Sequence, residues 1–128
     1  MDWLEVLGWG PEEIEELRSS AYLYVKQGVY DVSLTFFETL AILDPEVPYD
    51  LQTLGALHLQ LGNGLKALET LDRSLKLEPT HLLTQLNRAK ALLMLGYKRQ
   101  GLTQALELEK CEDKEIASQA SALVLAYR

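Results

Sequence analysis

The sequence predicts an all-α chain of three stacked helix-turn-helix repeats with an N-terminal arm and a C-terminal capping helix, and three recurrences predict it. Glycines close the triplets KQG, QLG and MLG at Gly28, Gly62 and Gly96, each 34 residues after the one before. Prolines close AILDP and SLKLEP at Pro45 and Pro79, again 34 residues apart. A small residue, Ala21, Gly55 or Ala89, stands seven places before each glycine. A fixed period of this length marks a repeat architecture, in which each unit buries its apolar face only against its neighbours.

In the arm, residues 1–13, Gly8-Trp9-Gly10-Pro11 separates a short helix from the first repeat. Pro11 suits the first position of the next helix, where an N–H has no partner in any case, and Glu12 and Glu13 suit the positive end of the helix dipole. Repeats then span 14–47, 48–81 and 82–112. Gly28, Gly62 and Gly96 end the first helix of each, because a chain leaving a helix commonly passes through a positive-φ residue that glycine adopts without a Cβ penalty. The small residue marks where paired helices approach most closely, and a side chain larger than a methyl would force them apart. Second helices carry one apolar stripe each, Leu34, Phe37, Leu40, Ala41 and Leu43, then Ala67, Leu68, Leu71 and Leu75. Pro45 and Pro79 stop these helices, since proline lacks the N–H and pushes the preceding residue out of the helical region. After Cys111, EDKEIASQASALVLAY puts Ile116, Ala120, Leu123 and Tyr127 on one face, so residues 113–128 are expected to cap the stack.

At 128 residues and 48% hydrophobic content, the chain has material for one domain with a substantial core. A net charge of -7 and a pI near 4.8 repel phosphate backbones and anionic lipid, so neither nucleic acid nor membrane is an expected partner. The single cysteine, Cys111, cannot pair within the chain, and the acidic start lacks the basic and apolar regions of a signal peptide. No 18-residue apolar run occurs, and a cytoplasmic location is expected.

YVKQGVYDVSLTFFETLAILDP and LGALHLQLGNGLKALETLDRSLKLEP resemble the tetratricopeptide family, with its pattern of glycine, small residue, aromatic or leucine, and proline. The third repeat departs from it at Gln85, where a large apolar residue is usual, at Gly101 in place of alanine, and in lacking the closing proline. Over most of the chain, AYLYVKQGVYDVSLTFFETLAILDP, LGALHLQLGN and AKALLMLGYKRQGLTQALELEK are similar to the translocator chaperones of bacterial type III secretion, the LcrH/SycD class. That resemblance implies a cytoplasmic bacterial chaperone that holds a secretion substrate without ATP, or a smaller relative such as a needle-subunit co-chaperone. It also implies dimers through the arm.

In such a stack the first helices line the inner face, and positions two, five, nine and twelve of each repeat are expected to point into it. These are Glu15, Arg18, Tyr22 and Val25, then Tyr49, Gln52, Ala56 and Leu59, then Leu83, Leu86, Lys90 and Leu93. A groove of this composition suits an extended apolar segment of a client protein, with Arg18, Gln52 and Lys90 left for carbonyls or an acidic side chain. Three buried anchors yield about 6 kcal/mol, and ordering six residues costs a comparable amount, so the interface is expected to exceed one short motif. A clamp for a terminal carboxylate would need a different set of residues at positions five, six and nine, and Tyr22, Thr53 and Asn87 do not supply it. The alternative to a client holder is a scaffold that bridges folded partners through its convex face or termini.

No residue pattern points to catalysis, a cofactor or a metal. His58 and His81 lie without cysteines or paired acids at ligand spacing, Cys111 has no positioned base, and Gly62-Asn63-Gly64 lacks the Lys-Ser/Thr of a phosphate loop. Tyr24 and Tyr30 are expected to pack within the helix pair. Trp3 and Trp9 cannot both stay in water on so short an arm, so the arm either folds back on the first repeat or packs on another subunit, and self-association is the favoured expectation.

Overall fold

The structure, a computed structural model, describes residues 2–128 and contains eight helices and no strand among them. They are α1 (Trp3–Leu7), α2 (Pro11–Lys26), α3 (Tyr30–Leu43), α4 (Pro48–Gln60), α5 (Gly64–Leu77), α6 (Leu82–Met94), α7 (Lys98–Leu108) and α8 (Lys114–Tyr127). Helices α2–α3, α4–α5 and α6–α7 form the three pairs, and α8 packs against α6 and α7. The fold is the all-α repeat stack expected from the 34-residue period.

The recurring glycines have the expected geometry. Gly28, Gly62 and Gly96 sit at φ 75°, 81° and 88°. After each, the chain makes the same paired return, as in Asn63 N–H to His58 C=O at 2.7 Å and Gly62 N–H to Leu59 C=O at 3.1 Å. These bonds satisfy carbonyls that the helix end leaves open. Helices α3 and α5 stop at Leu43 and Leu77, two residues before Pro45 and Pro79. Side chains cap three of the helices: Asp2 accepts from Leu4 N–H at 3.0 Å, His81 Nδ1 from Thr84 N–H at 3.3 Å, and Asp113 from Ile116 N–H at 3.1 Å.

One of the three small residues, Gly55, is needed more strictly than expected. A Cβ built on Gly55 would stand 2.5 Å from Leu71 Cδ2, so at this position even a methyl collides with the buried Leu71. Gly101, the departure from alanine in the third repeat, has a similar cause: its Cβ would meet Leu93 Cγ at 2.6 Å. Gln85 also has a local reason, since its amide donates to the Pro79 carbonyl at 2.8 Å and fastens the α5–α6 turn.

Phe37, Leu40 and Leu43 of α3 join Ile14, Ala21, Leu54 and Leu57 in one core cluster, and Ala67 and Leu71 of α5 meet Ala91 of α6 in another. Ile116 and Ala120 of α8 close on Leu86 and Leu108. Two aromatic placements differ from expectation. Tyr127 is exposed and Val124 takes the inward place on α8, packed on Ala89 and Ala105. Tyr24 does pack inside the pair, edge-on to Phe36 at 5.3 Å, but Tyr30 at the α3 start is exposed.

Candidate functional site: the inner face of the first helices

Successive helix positions are 100° apart, so positions two, six, nine and thirteen of a repeat fall within an arc of roughly 60°, whereas five and twelve lie roughly 60–80° to one side of position two. Burial follows that division. Position five is buried at Gln52 and Leu86, and position twelve is half-buried or buried at Val25, Leu59 and Leu93. Leu86 packs under α8 and Leu93 lies against Gly101 of α7, so neither stands on the open inner wall as expected from the repeat positions. Val25 packs on the first core cluster. Position thirteen supplies wall residues outside the expected set, Lys26, Gln60 and Met94, and position six adds Ser19, Thr53 and Asn87. The 100° rule applied to each helix would have found them.

Arg18 engages its guanidinium within the chain. Its Nε donates to both carboxylate oxygens of Asp50, at 3.2 and 2.9 Å, and its Nη2 lies 2.9 Å from Asp44 Oδ2. It pairs with Glu15 as well. Asp50 is 2% exposed, in the first turn of α4, and its hydrogen bond to Arg18 is the main reason the guanidinium holds its proton above its usual value. A guanidinium with three carboxylate partners has little left to offer a client.

Beside this cluster lies an aromatic patch. Tyr22 meets Phe37 edge-on at 4.8 Å and is overlain by Tyr49 at 5.5 Å. Its hydroxyl donates to Asp50 Oδ1 at 3.3 Å and lies 3.3 Å from Thr53 Oγ1. Burial raises the Tyr22 hydroxyl well above its ordinary value, so it stays protonated. Tyr49 is 62% exposed and offers its outer ring face to solvent.

Between α4 and α6 an open cleft of about 330 Å³ is lined by Ala56, Leu59, Gln60, Asn87, Lys90 and Met94. Its lining is part apolar and part polar. Lys90 Nζ reaches Gln119 Oε1 of α8 at 3.4 Å. Leu83 is exposed but lies elsewhere, in a depression between the α5–α6 turn and the start of α8. Thus Ala56, Leu59 and Lys90 come together, Tyr22 and Tyr49 form a second group, and Gln52, Leu86 and Leu93 are core.

The two arm tryptophans separate. Trp9 folds back with Leu4 onto the first core cluster, while Trp3 is 47% exposed beside exposed Val6 and Leu7. Among the described residues no helix is long and apolar enough to cross a membrane, and no cluster of metal-ligand type occurs.

Solved structures similar to this one include type III secretion chaperones and tetratricopeptide domains. PcrH of Pseudomonas aeruginosa, in complex with the chaperone-binding region of PopD, matches with a TM-score of 0.79 at 22% identity over 94% of each chain. The type III secretion translocator chaperone SycD of Yersinia enterocolitica, in a form described as an alternative dimer, matches with a TM-score of 0.79 at 20% identity over 92% of this chain and 93% of that one. The fold is that of a tetratricopeptide stack, shared with type III secretion translocator chaperones. The second tetratricopeptide domain of human RPAP3, bound to an HSP70 peptide, shares the stack too, with a TM-score of 0.76 at 14% identity over 89% of this chain and 98% of that one. No protein-family profile and no curated protein sequence matches the chain. Both the α4–α6 cleft and the Tyr22–Tyr49 patch lie on the first helices of the three pairs.

Proposed function

We propose that this protein is a non-enzymatic chaperone of the type III secretion kind, which holds an apolar segment of a secreted client along the inner face of α2, α4 and α6. The observation that carries the proposal is the open α4–α6 cleft in line with the exposed Tyr49 ring, an apolar track with polar margins outside the closed core. PcrH in complex with a region of PopD supports it, as does the RPAP3 domain bound to a peptide. A segment spanning both features would bury several anchors at once and offset its ordering cost.

The test uses Tyr49→Glu and Ala56→Glu, both on the wall and outside the core. The protein is purified from its native host and the dominant co-purifying chain is identified by mass spectrometry. Loss of that chain from both variants, with an unchanged melting curve, is expected. Retention in both would favour a scaffold that works through its convex face.

The exposed face of α1 we assign to a second copy of the chain. Trp3, Val6 and Leu7 lie side by side in solvent, and the SycD alternative dimer supports pairing in this fold. Trp9 has no part in it, being covered by its own repeat. Trp3→Glu should halve the mass measured by light scattering and leave helix content unchanged; a monomeric wild-type chain would reject the assignment.

A further inference from the structure

On the α6 side, the cleft between α4 and α6 presents an amide without a hydrogen-bond partner and an ammonium without a carboxylate. Asn87 is 8% exposed, yet its side-chain amide makes no hydrogen bond among the described residues. Among the described residues no fully buried side-chain nitrogen or oxygen lacks a partner, so the Asn87 amide is open to the cleft that Asn87 lines. Lys90, one turn away on the same wall, is the second. Among the described residues the ion-paired cations are Arg18 and Arg88, each with a carboxylate within 3 Å, while Lys90 has only the neutral Gln119 oxygen at 3.4 Å. A half-buried ammonium facing an apolar floor gains most from a carboxylate brought to it.

Charge along the stack points the same way. Residues 1–64 carry two basic side chains, Arg18 and Lys26, against eleven acidic ones, whereas residues 65–128 carry ten basic against eight acidic. A negative group on a bound segment is therefore repelled from the first repeat and drawn toward the third.

We infer that the α4–α6 cleft is a subsite for an acidic residue next to an aliphatic anchor in the held segment, its carboxylate received by Lys90 Nζ and the Asn87 amide. This rests on the client-holding role proposed above. The aliphatic side chain sits on Ala56, Leu59 and Met94, and the carboxylate lies on the third-repeat side of it.

A displayed library of random twelve-residue peptides, selected on the purified full-length chain, tests it. Wild type should enrich sequences in which Asp or Glu stands at a constant short spacing from Leu, Ile or Val. Lys90→Glu should enrich Lys or Arg at that same spacing. The best wild-type peptide, made synthetically, should lose roughly three- to tenfold in affinity with Lys90→Gln, and should weaken with added salt on wild type but not on the variant. Unchanged melting of both variants separates this from misfolding. Enrichment of apolar peptides without an acidic preference, or the same preference from Lys90→Glu, overturns the subsite and leaves the holding role intact. Selection of no peptide by wild type overturns both.

Discussion

The two seams between successive first helices are built differently, although the same 34-residue frame produces both. At the α4–α6 seam the backbones come within 8 Å of each other, and at the α2–α4 seam they do not. The base of the close seam is apolar, with Leu59 packed in one cluster with Ala91 and Ala67. The wide seam is crossed by long side chains instead: Arg18 reaches the carboxylate of Asp50, and Tyr22 reaches Asp50, Thr53 and Tyr49. One period can thus accommodate either solution, because the frame fixes which positions meet and leaves the chemistry of the meeting open. The functional consequence is a division of labour. The wide seam uses its charges internally, and the close seam leaves a cation and an amide facing its cleft.

If that contrast is correct, the wide seam should break most severely when its cation is removed. Arg18→Ala strands Asp50, which is 2% exposed, and should lower the free energy of unfolding in urea by about 3 kcal/mol. Arg18→Lys should recover only part of this, since a lysine cannot hold both carboxylate oxygens with one planar fork. Leu59→Ala at the close seam should cost about 2 kcal/mol, the low end of the range for such truncations because Leu59 is only half-buried. A loss of less than about 1 kcal/mol for Arg18→Ala would mean that the wide seam is held by its aromatic rings and not by the ion pairs.

The same contrast explains how much of the fold and site is legible in the sequence. Gly28, Gly62, Gly96, Pro45 and Pro79 act locally, each fixing backbone geometry within a few residues, and the helix ends they imply are the ones observed. Arg18, Gln52, Leu86 and Leu93 are harder because their environment is set by a different helix. Leu86 is core because α8 lies over it, and Leu93 because Gly101 lets α7 close on it. A wheel drawn for one helix sets positions five and twelve to one side of Tyr49, Ala56 and Lys90, but how deeply each is buried depends on the neighbouring helix that closes over it. Asp50 carries no periodic signal at all, and its role appears only when α2 and α4 are set side by side.

A smaller effect distinguishes the middle repeat from both seams. His58 of α4 is 3% exposed, with Asn63 Nδ2 at 3.5 Å from its Nδ1, and burial lowers its proton affinity below the ordinary histidine value. Glu38 opposes that shift and Lys66 adds to it. The folded state therefore binds fewer protons here than the unfolded chain does once the pH falls below the unfolded value of 6.5. Its stabilising contribution is complete above that pH and declines on acidification toward the lowered folded value, with a slope of at most about 1.4 kcal/mol per pH unit. Measured by urea unfolding between pH 7 and 5, His58→Gln should give a flatter profile than wild type, and the difference between the two curves isolates this residue. Parallel profiles would mean that His58 takes up its proton as readily in the folded chain as in the unfolded one, and that burial does not set its proton affinity.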